Sequence, residues 1–90
     1  MIDFNIFKNK DYREIEIYHE GINGHTVIEP DNVKDVTVEN DMVHIHEHSG
    51  DTIFTASRVL MLICRNRVKY VYVKNEETIE VTRKGDDRNE

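Results

Sequence analysis

The chain has 90 residues, 38% of them hydrophobic and 33% charged, and its formal net charge is −6. A chain of this length forms one domain that buries only about 60–65% of its unfolded surface, so we expect a metal ion or a second copy in a homo-oligomer as a staple. The single cysteine, Cys64, excludes an internal disulfide framework, and residues 59–64, the longest apolar run, are far fewer than the ~20 that span a bilayer.

These features predict a cytoplasmic protein without a membrane segment. The first ten residues lack the basic and then apolar pattern of a signal peptide. Ile2, Phe4 and Ile6 alternate with other residues there, which favours an edge strand over a helix.

Period-two alternation continues through the first half of the chain and indicates half-buried β-strands. Turns are predicted at residues 30–32, at residues 40–41 and at residues 49–51. The apolar positions of these strands are Ile15 with Ile17, Val36 with Val38, and Val43 with Ile45.

Residues 57–66 are open to two interpretations. Ser57 can cap a short helix over these residues, or a turn at residues 56–58 can lead into a buried strand, which we favour. Two further strands follow, one at residues 68–73 and one at residues 78–82.

The predicted fold is mainly β: a small antiparallel meander that curls into a barrel or a sandwich. Residues 1–82 form this single domain, and residues 83–90 form a disordered tail because they have nothing to bury. An α+β roll, with residues 57–66 as its helix, is the alternative. The residues expected to be largely buried are Ile15, Ile17, Val36, Val38, Val43, Ile45, Leu60, Leu62, Val71 and Val73.

A row of histidines is the densest cluster with possible chemistry. His44, His46 and His48 share one face of a strand, because residues i and i+2 point the same way. Neighbours in the row are close enough to share one Zn²⁺ ion, whereas the outer two are not. His25 and His19 are candidates for the remaining ligands, and a solvated strand face without metal is the alternative.

Charge is divided unevenly along the chain. Residues 11–51 carry eleven acids and two bases, for a net −9, whereas residues 58–74 carry five bases and no acid. Either the surface is two-sided or neighbouring strands pair these charges across the sheet. The acids proposed to contact a partner are Glu14, Glu16, Glu39 and Asp41. The residues of a nucleic-acid-binding hairpin, the alternative, are Arg65, Arg67, Lys69, Tyr70 and Tyr72.

The chain lacks a phosphate-binding loop and a nucleophile elbow, so we expect a protein that is not an enzyme. In overall character, acidic, β-rich and with one cysteine, it resembles the small inhibitors encoded by phages, anti-CRISPR proteins among them. That resemblance implies stoichiometric binding to a basic groove on a host protein that handles nucleic acid. The alternatives are a small RNA- or DNA-binding protein that uses residues 65–74 and a metalloenzyme built on the histidine row.

Overall fold

The computed structural model describes residues 2–21, 24–66, 69–74 and 77–82. Within them lie eight strands: β1 (Glu14–His19), β2 (His25–Ile28), β3 (Val33–Glu39), β4 (Met42–Glu47), β5 (Gly50–Thr55), β6 (Val59–Arg65), β7 (Lys69–Lys74) and β8 (Glu77–Thr82). One sheet has the order β2-β1-β6-β7-β8 and the other the order β3-β4-β5. All described pairings are antiparallel, as the sequence predicts.

The two sheets share one hydrophobic core and form a sandwich, and they do not close into a barrel. The five-stranded sheet contributes Ile15, Ile17, Leu62, Cys64, Val71 and Val73. The three-stranded sheet contributes Val33, Val43 and Ile45. Seven of the ten residues expected in the core are therefore buried, which confirms the period-two assignment of their strands. Among the described helices, none has the length and apolar character needed to cross a membrane.

Three of the residues expected in the core are not fully buried. Val36 is only partly buried, although it packs against the core. Val38 is 53% exposed because it lies near the outer end of the edge strand β3, beside the hairpin. Leu60 is 48% exposed because the β1–β6 ladder pairs Tyr18 with Met61 and His19 with Val59 and skips it. A bulge of this kind turns the extra side chain out of the regular alternation.

The N-terminal segment is a 3-10 helix, Phe4–Lys8, and the predicted edge strand was wrong. The Asp3 side chain accepts a hydrogen bond from the Asn5 backbone N–H and caps the helix. Because a 3-10 helix has three residues per turn, Phe4 and Phe7 lie on the same side. Both are buried in the core, where they pack against Phe54 of β5.

Residues 57–66 are not a helix, so the α+β roll was wrong. A single 3-10 turn, Ala56–Arg58, leads directly into the buried strand β6. Asp41 holds this turn, because its carboxylate accepts hydrogen bonds from the Ser57 N–H and hydroxyl at 3.0 and 2.6 Å. The predicted disordered tail, residues 83–90, lies outside the described residues.

Two tight turns set the register of the three-stranded sheet. Asn40 and Asp41 both have positive φ, 52° and 65°, as a type I′ hairpin turn requires. The second hairpin pairs Glu47 with Gly50, whose φ of 139° favours glycine. Asn32 anchors that hairpin: its carbonyl accepts from the His48 N–H, and its side-chain amide donates to the Ser49 hydroxyl.

Candidate functional site

Two histidines of the predicted row come together on the outer face of β4. His44 and His46 alternate with the buried Val43 and Ile45, so both imidazoles point away from the core. Their rings stack with centroids 4.1 Å apart and an interplanar angle of 19°. The middle strand therefore presents two of the three imidazoles of the predicted row as a pair.

Asp51 joins this pair from the neighbouring strand β5. The ladder pairs His46 directly with Asp51. The Asp51 Oδ2 atom lies 2.9 Å from His44 Nε2 and 3.7 Å from His46 Nδ1. The hydrogen bond from His44 is the main cause that lowers the pKa of Asp51, and His46 acts in the same direction. Each of the three residues offers one ligand atom, and these atoms lie within 4.8 Å of one another.

Strand β3 flanks the cluster on the other side. Asp35 is the ladder partner of His46, and Thr37 is that of His44. The Thr37 hydroxyl lies 3.4 Å from His46 Nε2, while the other ring nitrogen of His46 faces Asp51. The pKa of Asp35 is lowered, chiefly by the backbone N–H of Val36, with further contributions from Lys8 and His46.

The other three predicted ligands lie outside this group. His48 is exposed in the turn after β4, where the strand alternation has ended. His19 and His25 belong to the five-stranded sheet. There His19 lies 3.4 Å from the Thr26 hydroxyl and His25 Nε2 lies 3.1 Å from Glu16 Oε1. The third possible ligand is therefore Asp51, which was predicted to lie in a turn, and not one of these three histidines.

Glu16 is buried on the outer face of the five-stranded sheet, although the sequence analysis assigned it to a partner surface. Its carboxylate accepts hydrogen bonds from the Tyr18 hydroxyl and the Arg65 guanidinium, and it contacts His25. Burial alone would raise the pKa of Glu16, but these three hydrogen bonds outweigh it and the pKa is lowered. Glu14 lies 3.7 Å from the same Arg65, so both acids are paired within the sheet.

A cavity of about 490 Å³ opens beside this ion pair. The residues lining it are Arg13, Glu14, Glu16, Arg65, Asn66 and Tyr70. Glu16 raises the pKa of Arg65, which keeps the guanidinium charged. None of the three residues of the histidine–aspartate cluster lines this cavity.

Two of the three described cations of the hairpin at residues 65–74 are paired within the fold, and the third, Lys74, is exposed. Arg65 is held by Glu16 and lies over the Tyr70 ring at 4.7 Å, and Lys69 donates to Glu80 at 2.7 Å. Tyr72 is half-buried on the same outer face as Tyr70, as the alternation predicts. Arg67 lies outside the described residues.

Glu39 and Asp41, the other acids proposed to contact a partner, lie at the β3–β4 hairpin. Glu39 is exposed and pairs across the ladder with Met42, which is 41% exposed. Ile53 of β5 is 55% exposed and pairs with His44. We call the outer face of the three-stranded sheet the acidic face; its residues are Asp35, Thr37, Glu39, Met42, His44, His46, Asp51, Ile53 and Thr55.

Comparison with known proteins identifies no relative of the chain. No protein-family model matches the chain, and no curated protein sequence and no solved structure matches it.

Proposed function

We propose that the chain is a non-enzymatic protein-binding module whose acidic face docks against a basic groove. In this proposal it is a cytoplasmic inhibitor of the phage type, and the groove belongs to a host protein that handles nucleic acid. The observation that carries the proposal is the make-up of the acidic face. Exposed Met42 and Ile53 occupy diagonal positions on neighbouring strands, with Glu39, Asp35 and Asp51 around them. An apolar centre within a charged rim is the usual anatomy of a protein interface.

The distribution of charge supports the same face. Residues 33–55 carry five acids and one base, for a net −4. In the five-stranded sheet, Glu14, Glu16 and Glu80 pair with cations on neighbouring strands. Three of the eleven acids of residues 11–51, Asp35, Glu39 and Asp51, are exposed on the acidic face, where Asp35 lies 3.6 Å from the Lys8 ammonium. Carboxylates spaced along strands give a basic groove a pattern of charge comparable to that of phosphates.

The nucleic-acid alternative has less support. Arg65 and Lys69 both pair with carboxylates, and the Arg65 guanidinium covers one face of the Tyr70 ring. A base stacking on that face would have to displace the guanidinium. A metalloenzyme is also less well supported, because the histidine–aspartate cluster lies on an open strand face rather than in the described cavity.

A matched pair of substitutions tests the proposal. Ile53→Lys and Ile79→Lys change equally exposed residues, 55% and 53%, on the outer faces of the two sheets. We expect Ile53→Lys to abolish retention of a host protein in a pull-down from bacterial lysate and Ile79→Lys to preserve it. Retention should also weaken as salt is raised, because screening shortens the reach of surface charges.

The same proteins are then titrated with labelled RNA and DNA. We expect no tight binding by the wild type. Retention that is lost with Ile79→Lys but kept with Ile53→Lys would contradict the proposed face. Tight RNA or DNA binding that Lys69→Ala weakens would favour the nucleic-acid alternative instead.

A further inference from the structure

We infer that His44, His46 and Asp51 bind one Zn²⁺ ion on the outer face of the three-stranded sheet. The site shares Asp51 with the acidic face, but the inference does not rest on the protein-binding proposal and has its own measurement. A tetrahedral ion with bonds of about 2.0–2.1 Å places its ligand atoms roughly 3.3 Å from one another. The Asp51 Oδ2 atom lies 2.9 and 3.7 Å from the two imidazole nitrogens. These two separations bracket the value that a shared ion needs, and all three ligand atoms lie within 4.8 Å of one another.

The scaffold holds the three donors in place. Both histidines are on β4, which pairs with β3 on one side and β5 on the other. Asp51 is fixed opposite His46 by the second hairpin, whose turn Asn32 anchors from outside the sheet. Donors on paired strands keep their spacing better than donors on loops, so little ordering is left for the ion to impose.

A further side chain, Thr37, contacts one of the proposed ligands without binding the ion itself. With His46 Nδ1 directed at the ion, its Nε2 faces the Thr37 hydroxyl at 3.4 Å. Metal-binding histidines usually engage their second ring nitrogen in this way, and the contact fixes the ring orientation. The stacking of His44 on His46 restricts both rings further.

The donor set favours zinc and leaves a coordination position open. Two imidazole nitrogens and one carboxylate oxygen suit Zn²⁺ better than Mg²⁺ or Ca²⁺, which prefer oxygen alone. All three side chains are partly exposed, between 33% and 47%, so the remaining position faces solvent. The ion therefore takes water there, or a donor atom from whatever docks on the acidic face.

Zinc titration by calorimetry tests the site on the full chain without a histidine tag. We expect one equivalent of Zn²⁺ to bind the wild type. His44→Ala, His46→Ala and Asp51→Asn should each weaken binding by more than the roughly 10- to 100-fold that loss of an outer-shell partner costs. Thr37→Val should fall within that range. His48→Ala and His25→Ala are the matched controls, and both should bind as the wild type does.

Binding that survives His46→Ala, or that is lost with His48→Ala, would overturn the inference, as would absence of binding at millimolar Zn²⁺. A second measurement does not depend on the variants folding. Nuclear magnetic resonance of the wild type with labelled histidine rings should show Zn²⁺-dependent shifts at His44 and His46. Shifts confined to His19, His25 or His48 would refute the site.

Discussion

Removal of the Phe7 ring should destabilise the protein severely. Phe7 is fully buried; its ring lies 6.1 Å from that of Phe4 in a stacked arrangement and 6.1 Å from that of Phe54 in an edge-on one. Truncation of a core phenylalanine to alanine costs about 3–5 kcal/mol, and each aromatic pair adds roughly 0.5–1.5 kcal/mol beyond its buried area. A domain of this size has only roughly 5–13 kcal/mol of total stability, so Phe7→Ala removes a large part of it.

Urea denaturation followed by circular dichroism measures the effect. With a slope of about 1–3 kcal/mol per molar urea, the midpoint of Phe7→Ala should fall by at least about 1 M. Asn5→Ala is the control, because Asn5 is exposed in the same 3-10 helix, and it should change stability by no more than about 0.5 kcal/mol. An unchanged midpoint for Phe7→Ala would show that the N-terminal segment is not packed into the core, and the reasoning would fail.

Two further predictions concern buried titratable groups. The folded-state pKa of Glu16 lies below its ordinary value of 4.5, so its stabilising contribution is present above that value and is lost as pH falls through the folded-state pKa. Glu16→Gln should therefore show a smaller loss of unfolding free energy between about pH 5 and about pH 3 than the wild type, in urea titrations at each pH; equal losses would contradict this. Burial raises the pKa of Cys64 to about 12, so its thiol should react with an aromatic disulfide reagent only after denaturation, and rapid reaction of the native protein would refute that burial.

The strands could be predicted because the alternation of apolar and polar residues depends only on the local geometry of a strand. Ile15 and Ile45 lie in the core for the reason that the sequence suggests, since every second residue of a strand shares one face. Phe7 could not be placed by that rule, because the segment follows a period of three rather than two. The relevant signal was the spacing of Phe4 and Phe7, which the alternation of Ile2, Phe4 and Ile6 obscured.

The candidate metal site was predictable only in part. His44 and His46 follow from their spacing along one strand, whereas Asp51 depends on which two residues form the turn. A turn at His48 and Ser49 pairs His46 with Asp51, while a two-residue turn one position later would pair Asp51 with His48 instead. Burial of Glu16 depends on Arg65, 49 positions away in the chain, and no local pattern reports such a contact.

Strand β8 forms the far edge of the five-stranded sheet, and its described side chains, residues 78–81, are all exposed. If β8 separates from β7, one ladder of hydrogen bonds is broken, and β8 itself contains no described core residue that would be exposed. This local opening therefore requires less free energy than unfolding of the whole domain. The open form presents the bare edge of β7, on which a β-strand from another chain can add. We therefore expect the backbone amides of β8 to exchange hydrogen faster than those of β6, which is paired on both sides and buried at Leu62 and Cys64.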